Sequence, residues 1–282
     1  MTTATEEFEA PHLTAGSAVM DDDRPGRREL HGVGLTIARV LAIAALLGIW
    51  QLCANNLISA FWISSPSLVA VRLWQWSIDG TLWPQLETTL TEAGYGFLIG
   101  ASAGIVIGLI LGQTRRVTQV LEPVIFALYS LPRIALAPLF LLWFGIGIES
   151  KVVLSATSVF FLVFYNTFSG VRDVDQDLLN AVRIMGGTRR HELTNVIIPA
   201  TTYWVFVGLK ISVPYAIIGA VVGEMVASNR GLGYLMQNAS GEFDTTGVFV
   251  ALVVLAAISI VLNELLSLAE KRAIRWKPNR DA

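Results

Sequence analysis

Residues 91–112 read TEAGYGFLIGASAGIVIGLILG, and this segment establishes the class of protein that the chain forms. After Glu92 it carries no charged side chain, and about 20 apolar residues in a helix suffice to cross the hydrocarbon core of a bilayer. Glycines recur at every fourth position, which places them on one helix face where another backbone can approach closely. They are Gly96, Gly100, Gly104, Gly108 and Gly112. We therefore predict a transmembrane helix that packs through its glycine face.

Further windows of the sequence are also apolar enough to cross a membrane as helices. They are residues 35–57, 120–144, 152–168, 203–227 and 247–268. The composition agrees, because only 15% of the residues are charged, against about 25% in soluble domains. The window 120–144 carries Pro123, Pro132 and Pro138, which are incompatible with one straight helix. The sequence predicts an all-α membrane protein with about six transmembrane helices in a domain of residues 31–275.

Basic residues in the short connections predict the orientation, since lysine and arginine are enriched on the cytoplasmic side. With the N-terminus inside, most of the basic residues fall on that side, and the outer connections hold only Arg72, Lys151 and Arg230. Both termini are therefore predicted to be cytoplasmic. Residues 1–30 are acidic and poor in large apolar side chains, which predicts a disordered cytoplasmic tail. Residues 276–282 are predicted to form a second, short cytoplasmic tail.

Composition and motifs exclude several classes of function. A formal net charge of −2 gives no basis for nucleic-acid binding. The single cysteine, Cys53, and three scattered histidines predict neither a disulfide framework nor a metal site. Residues 100–104 match the pattern G-x-S-x-G, but they lie within the glycine-rich helix and have no histidine base nearby, so we reject a serine hydrolase. No lysine stands in a P-loop, so the chain has no ATPase motif of its own, and we predict no catalytic residues.

A polar segment, residues 172–200, lies between the fourth and fifth windows on the predicted cytoplasmic side. Asp175 is expected to cap a helix that carries Asp177 in its first turn, where negative charge is favourable. This helix is amphipathic, with an apolar stripe at helical spacing. The stripe consists of Leu178, Leu179, Val182 and Met185.

Two adjacent glycines, Gly186 and Gly187, are expected to end this helix, with Gly186 in a backbone conformation that only glycine adopts readily. Thr188 is then expected to cap a second helix that runs toward Pro199. The pattern alone is compatible with two interpretations. The pair of helices either docks on a cytoplasmic protein or lies as a hairpin on the inner leaflet.

The same segment resembles a family motif. Asn180-Ala181-Val182-x3-Gly186-x9-Val196-x-Ile198-Pro199 is similar to the EAA loop of binding-protein-dependent ABC importer permeases, whose pattern is Glu-Ala-Ala-x3-Gly-x9-Ile-x-Leu-Pro. Asn180 replaces the glutamate and Val182 the second alanine, whereas Gly186 and Pro199 stand at the matching positions. Other stretches resemble the nitrate/sulfonate/taurine-type branch of this family. They are LPRIALAP at 131–138, LWFGIG at 142–147, and Gly223-Glu224 followed by GLGYL at 231–235.

The resemblance covers roughly residues 35–275 and implies the transmembrane fold of a type I ABC importer in the bacterial plasma (inner) membrane. It implies as partners two ATPase subunits, a second permease copy in a homodimer, an external solute-binding protein and membrane lipid. ATP and Mg would be bound by the ATPase, and this chain would hold no cofactor. The implied coupling residues are Asn180, Ala181, Val182, Gly186, Gly187, Thr188 and Pro199. The alternatives are a gradient-driven secondary transporter, which would usually show inverted repeats, and an intramembrane enzyme, which would need a catalytic constellation.

Arg133 and Lys210 are the only basic residues well inside the predicted membrane windows, and Glu224 lies near the outer end of the fifth. An uncompensated charge at the bilayer centre costs about 2.5–3.5 kcal/mol, so such residues are expected to face a wet cavity or a partner. We predict that all three belong to the translocation pathway and that the solute is a small anion. The competing interpretation is structural. Arg133 or Lys210 would pair with Glu122, Glu224 or Glu264, or Glu224 would reach the outer membrane surface.

Overall fold

The computed structural model describes residues 33–114, 120, 123–125 and 127–274. The predicted tails, the basic residues 115–116 and Glu122 lie outside these residues. Two compact units are distinguished, one ending at Leu46 and one beginning at Leu47. The first is described only as the N-terminal part of helix α1 (Val33–Asn56), whose apolar side chains are largely exposed.

The long helices agree with the predicted windows. Within the described residues, five helices are long and apolar enough to cross a membrane. They are α1, α4 (Leu82–Gly112), α7 (Ile148–Arg172), α10 (Ile198–Ala227) with the turns that lead into it, and α12 (Thr245–Ala273). A sixth span arises if α5 (Pro123–Tyr129) and the helical segment Arg133–Phe144, which are bent by 79° to each other, are taken together. The predictions of about six spans and of a broken third span are confirmed.

Shorter helices connect these spans. They are α2 (Ala60–Ile63), α3 (Pro66–Ile78), α6 (Ala137–Phe144), α8 (Gln176–Ile184), α9 (Arg189–Glu192) and α11 (Leu232–Gly241). On the predicted outer side, α3 is tied to the start of α12, because Arg72 donates to Asp244 at 2.7 Å. Ser64 and Thr246 form a second link, with their hydroxyl oxygens 2.9 Å apart.

Helix α7 packs between α4 and α10 and forms the centre of the bundle. The five glycines at four-residue spacing lie against it. A Cβ atom added at any of them would come within 3.0 Å of an α7 atom, for example 2.9 Å from the Phe160 carbonyl oxygen at Gly104. On the other side, Ser155 of α7 donates a hydrogen bond to the Ala216 carbonyl oxygen of α10 at 2.9 Å. Such close backbone approach is the usual way in which helices associate in lipid.

Candidate functional site

The segment between α7 and α10 folds as two short helices. Asp175 accepts a hydrogen bond from the Asp177 N–H at 2.8 Å and caps α8, as predicted. Helix α8 ends in a Schellman motif, in which the Gly187 N–H donates to the Val182 carbonyl at 2.8 Å and the Gly186 N–H to that of Arg183 at 3.0 Å. Gly186 has a φ of +79°, which confirms the conformation expected there.

The second helix differs from the prediction. The Thr188 N–H donates to His191 Nδ1 at 3.1 Å and begins α9. A π-helical turn, Leu193–Ile197, then leads directly into α10, so the helix does not end near Pro199. Pro199 is the second residue of α10 and lies where the π-helical turn changes to the α-helix. The segment is therefore continuous with a membrane-spanning helix.

The predicted apolar stripe of α8 is wrong in part. Leu179 is buried and packs with Val171, Val174 and Ile197, whereas Leu178 is 54% exposed. Consecutive residues lie about 100° apart around a helix, so these two leucines cannot share one face. At the end of the helix, Ile184 and Met185 are 87% and 86% exposed.

An ion pair joins the two short helices. Arg183 Nε lies 2.7 Å from Glu192 Oε1, and this hydrogen bond raises the pKa of Arg183 above its ordinary value. Arg183 also donates to Asn180 Oδ1 at 3.4 Å. Arg183 and Glu192 border a cavity of about 650 Å³ that Arg172 and Arg189 also line. The residues predicted from the resemblance to couple the chain to an ATPase lie on this hairpin, except Pro199, which lies at the start of α10.

Lys210 forms an ion pair with Glu270 of α12. The acidic partners considered from the sequence were therefore wrong for Lys210. The reason is packing: Glu270 lies in the last turns of α12, a helix that packs against α10. The pairing compensates the charge of Lys210.

Arg133 lies in a short 3-10 turn that follows Pro132. Its guanidinium group donates to the Tyr129 carbonyl oxygen at 2.9 Å and lies over two aromatic rings, 5.0 Å from the centroid of Tyr129 and 5.2 Å from that of Phe161. Its buried Nε atom has no hydrogen-bond partner within the part of the chain that is described. No carboxylate compensates its charge among those residues.

Glu224 is 1% exposed, so the interpretation that it reaches the outer membrane surface is wrong. Its Oε1 accepts from the Thr89 hydroxyl at 2.6 Å, and its Oε2 accepts from the Gly233 N–H at 2.6 Å. Thr89 in turn accepts from the Leu232 N–H at 2.8 Å. Glu224 therefore joins the end of α10 to α4 and to the start of α11.

Two buried charged residues beside Glu224 were not singled out from the sequence. Lys151 is 3% exposed and Glu92 is 2% exposed. Lys151 was expected in an outer loop, and this is wrong because α7 begins at Ile148 rather than at residue 152. Lys151 is therefore a buried basic residue in addition to Arg133 and Lys210, the two that lie within the predicted windows. We call Thr89, Glu92, Lys151 and Glu224 the outer polar cluster.

A signal for Glu92 is present in the sequence. The glycine series of α4 has a period of four, and one step before Gly96 it reaches Glu92. This places the carboxyl group on the helix face that packs against α7. The three predicted pathway residues, by contrast, are held by partners on different helices and do not form a single site: Arg133 by Tyr129 and Phe161, Lys210 by α12, and Glu224 by α4 and α11.

Comparison with known proteins finds relatives along most of the chain. The family model described as "Binding-protein-dependent transport system inner membrane component" matches residues 104–275. The riboflavin transport system permease protein RibX of Chloroflexus aurantiacus is 37% identical over 89% of this chain and 92% of that protein. The taurine transport system permease protein TauC of Escherichia coli is 32% identical over 83% and 87% of the two chains. The formylaminopyrimidine transport permease protein ThiX of Halalkalibacterium halodurans is 31% identical over 82% and 92%.

Solved structures show the same fold. A chain of the MetNI methionine ABC transporter, in inward-facing conformations in its native crystal form, aligns with a TM-score of 0.54 at 19% identity. The alignment covers 72% of this chain and 96% of that chain. A selenomethionine-soaked crystal form of the same transporter aligns with a TM-score of 0.52. At this level of identity the likeness concerns the fold alone.

Proposed function

Because this chain belongs to the family of binding-protein-dependent transport system inner membrane components, it is a permease subunit of an ABC importer, and we propose that α8 and α9 couple it to the ATPase. It has the type I importer fold and is a multi-pass inner-membrane protein. The branch that handles sulfonates and taurine is the one expected from the sequence. The relatives are permeases rather than enzymes, and ATP hydrolysis belongs to a partner subunit. A solute-binding protein is the second partner that the family implies.

The exposed apolar end of α8 supports the coupling role. Ile184 and Met185 stand almost fully in solvent on a hairpin that also carries exposed charged groups. Exposed apolar residues rimmed by polar ones are typical of a protein interface. The Schellman motif fixes the direction in which these two residues point.

A pair of variants tests this docking surface. Ile184→Ser with Met185→Ser should lower the amount of co-expressed ATPase subunit that purifies with the permease, and should lower solute uptake in parallel. Leu57→Ser is the matched control, since Leu57 is 79% exposed and lies on the predicted outer side. If the ATPase is retained at the wild-type ratio in the double variant, the proposed docking surface is wrong.

The proposed assembly contains two copies of this chain, two ATPase subunits that bind ATP and Mg, and one external solute-binding protein. A homodimer is the simplest arrangement in which two chains, each lining half of the translocation pathway, complete it. Co-expression of a tagged and an untagged copy, followed by purification through the tag, tests it. Recovery of the untagged copy with the tagged one supports the homodimer, and its absence contradicts it.

The solute is proposed to be a small organic anion that contacts Arg133. Arg133 keeps a cationic group beside a break in a membrane span without a carboxylate partner among the described residues, and intramembrane charges of this kind usually serve function. Lys210, paired with Glu270, is instead proposed to hold α10 to α12. The relatives named for taurine, riboflavin and formylaminopyrimidine indicate that the branch accepts chemically different solutes.

Substitution of Arg133 tests whether the solute is an anion that contacts this residue. Arg133→Gln should lower uptake at least about tenfold, since a hydrogen bond between charged groups contributes about 1.5–3 kcal/mol and about 1.4 kcal/mol corresponds to a factor of ten. Arg133→Lys should retain part of the uptake because it keeps the charge. Basal ATPase activity and the amount of assembled complex should stay unchanged in both. Saturable uptake of a neutral solute, insensitive to Arg133→Gln, would contradict the proposal.

Glu224 is proposed to act at the outer gate. A cavity of about 450 Å³ lies beside it, with the polar side chains of Tyr234, Gln237 and Asn238 in its walls. Because Glu224 holds the start of α11 and α11 forms one wall, a change at Glu224 alters the shape of this cavity. A role in gating agrees better with this geometry than direct binding of solute, since the carboxyl group is buried.

A further inference from the structure

Three ionisable groups of the outer polar cluster are buried together inside the membrane domain. Glu92 comes from α4, Lys151 from α7 and Glu224 from α10, and none is more than 3% exposed. Burying an ionised group without full compensation costs several kcal/mol. The charges of the cluster must therefore be compensated, and the transport function does not explain how.

Hydrogen bonds engage Glu224 and Lys151, whereas one oxygen of Glu92 is left without a partner among the described residues. Glu224 accepts one hydrogen bond on each oxygen, from Thr89 and from Gly233. Lys151 Nζ donates to the Ile146 carbonyl oxygen at 2.8 Å. Glu92 lies three residues after Thr89 on the same face of α4, and the Thr89 hydroxyl donates to Glu224, so the carboxyl group of Glu92 lies beside that of Glu224. Glu92 Oε2 has no partner within the described residues.

The charges do not balance if both acids are ionised. Lys151 is the buried basic residue beside the two acids, because its Cγ would lie 2.7 Å from a Cβ atom added at Gly223, the residue before Glu224. Helix α11 contributes backbone N–H groups to the cluster. Two carboxylates and one ammonium leave an excess of one negative charge in a buried site. Two carboxyl groups in direct contact do not both ionise readily, and one of them usually keeps a proton.

A metal ion would be a poor source of the missing positive charge. The backbone of α11 lies directly against the carboxyl group of Glu224, because a Cβ atom added at Gly233 would stand 2.9 Å from Oε2. Its two oxygens are already engaged by Thr89 and Gly233. A proton needs no additional space and can lie on the hydrogen bond between the two acids.

We propose that Glu92 is a proton-binding site, and that its protonated carboxyl group donates a hydrogen bond to the Glu224 carboxylate. The bound proton makes the cluster electrically neutral, with Lys151 compensating Glu224. Glu224 then holds α4 and the start of α11 through Thr89 and Gly233. This inference is independent of the solute and of the coupling role of α8.

The proton also links the stability of the outer side to pH. A folded state that binds one proton more than the unfolded chain becomes less stable as the pH rises. Alkaline conditions should therefore loosen the contact between α10, α4 and α11. In Glu92→Gln the amide N–H replaces the acid O–H as donor to Glu224, so this variant should show a shallower alkaline loss of thermal stability than the wild type.

Infrared difference spectroscopy of the full permease–ATPase complex in lipid nanodiscs tests the proposal directly. At pH about 8 exposed carboxyl groups are ionised, so the C=O stretch of a protonated acid reports buried groups. The difference spectrum between wild type and Glu92→Gln should contain this band. The control is Glu87→Gln, since Glu87 is an exposed acid of α4, and its difference spectrum should not contain the band.

The infrared measurement distinguishes support for the proposal from its contradiction. Loss of the band in Glu92→Gln, together with its reversible disappearance when the wild-type complex is titrated to higher pH, supports the proposal. Absence of the band in the wild type overturns it, and this measurement requires no variant to fold. A band that persists in Glu92→Gln and is lost in Glu224→Gln places the proton on the other acid and also overturns it.

Discussion

Ile184 and Met185 lie almost wholly in solvent at one end of α7 and α10, whereas Glu92, Lys151 and Glu224 are at most 3% exposed at the opposite end of these helices. The two regions are separated by the length of α7, which has 25 residues and is therefore roughly 37 Å long at about 1.5 Å per residue. The first exposes its apolar and charged groups, and the second buries its charged groups. Both contain backbone turns at glycine, Gly186 in one and Gly231 in the other.

The difference indicates two mechanical roles. A short hairpin with an exposed apolar end can bind and follow another protein, since little of the bundle core depends on it. A buried cluster that joins α4, α7, α10 and α11 resists local movement, because opening it would leave polar groups without partners. Motion imposed on the hairpin would then pass along α7 and α10 as rigid-body movement and reach the outer side.

The strongest test of this contrast is the turn at Gly186. A β-branched residue at φ +79° is strained by about 1–2 kcal/mol, and the Schellman motif that orients Ile184 and Met185 would open. We expect Gly186→Val to insert normally in the membrane, to lose at least about tenfold in solute uptake, and to lose stimulation of the ATPase. Uptake in proteoliposomes and ATPase rate, measured on the same preparation, provide the two readouts.

Gly80 provides a matched control on the other side. It has a φ of +80°, and like Gly186 it has no atom within 4 Å of an added Cβ. Gly80→Val should therefore suffer similar local strain without a loss of coupling. If both variants lose uptake equally, general destabilisation is the cause and the coupling role of Gly186 is contradicted.

A second test weakens the buried region. In Glu224→Gln one acceptor oxygen becomes an N–H donor, which leaves either the Thr89 hydroxyl or the Gly233 N–H without an acceptor. An unsatisfied buried group costs about 1–3 kcal/mol. We expect a lower thermal unfolding midpoint and reduced transport, with expression retained. Both are measurable on purified complex.

Glu242→Gln serves as the control for this change. Glu242 is an exposed acid at the end of α11 that accepts from Asn238 at 3.2 Å, a bond that glutamine can keep. It should leave the midpoint unchanged. A Glu224→Gln variant with reduced transport but normal stability would indicate that Glu224 contacts the solute rather than holding the helices together.

Most of the fold could be predicted from the sequence because it depends on local patterns. Apolar windows predict helices in lipid, the spacing from Gly96 to Gly112 predicts the close contact with α7, and Asp175 and Gly186 indicate where α8 begins and ends. The segment that we propose to couple the chain to the ATPase was found for the same reason. Its signals are caps, breaks and a family motif that all lie within 30 consecutive residues.

The outer polar cluster could not be found in this way. Its residues come from three helices that are distant in sequence, with 135 positions between the hydrogen-bonded Thr89 and Glu224. Its discovery also depended on helix ends, which sequence patterns locate poorly. Beginning α7 at residue 152 placed Lys151 in a loop, although it lies in the first turn of a helix that begins at Ile148. The partner of Lys210 was missed because Glu270 becomes its neighbour only when α12 packs against α10.

The smallest expected effect concerns the ion pair between Arg183 and Glu192, which joins α8 to α9 in the exposed region. Exposed pairs of this kind contribute little and are screened by salt. Arg183→Gln and Glu192→Gln should therefore each reduce coupling far less than Gly186→Val. The loss in the double variant should equal that in either single variant, because each substitution removes the same interaction.

The dependence on salt concentration distinguishes the effect of this ion pair from that of the buried cluster. In the wild type, the ratio of solute transported to ATP hydrolysed should fall slightly between low and high ionic strength, whereas in the double variant it should be insensitive. The thermal midpoint, which depends on the buried cluster, should show the same salt dependence in both proteins. A large uptake defect in Arg183→Gln that Glu192→Gln does not reproduce would mean that Arg183 binds the ATPase directly. Its bond to Glu192 would then describe only the unbound hairpin, and the contrast between an exposed contact surface and a buried structural cluster would become sharper.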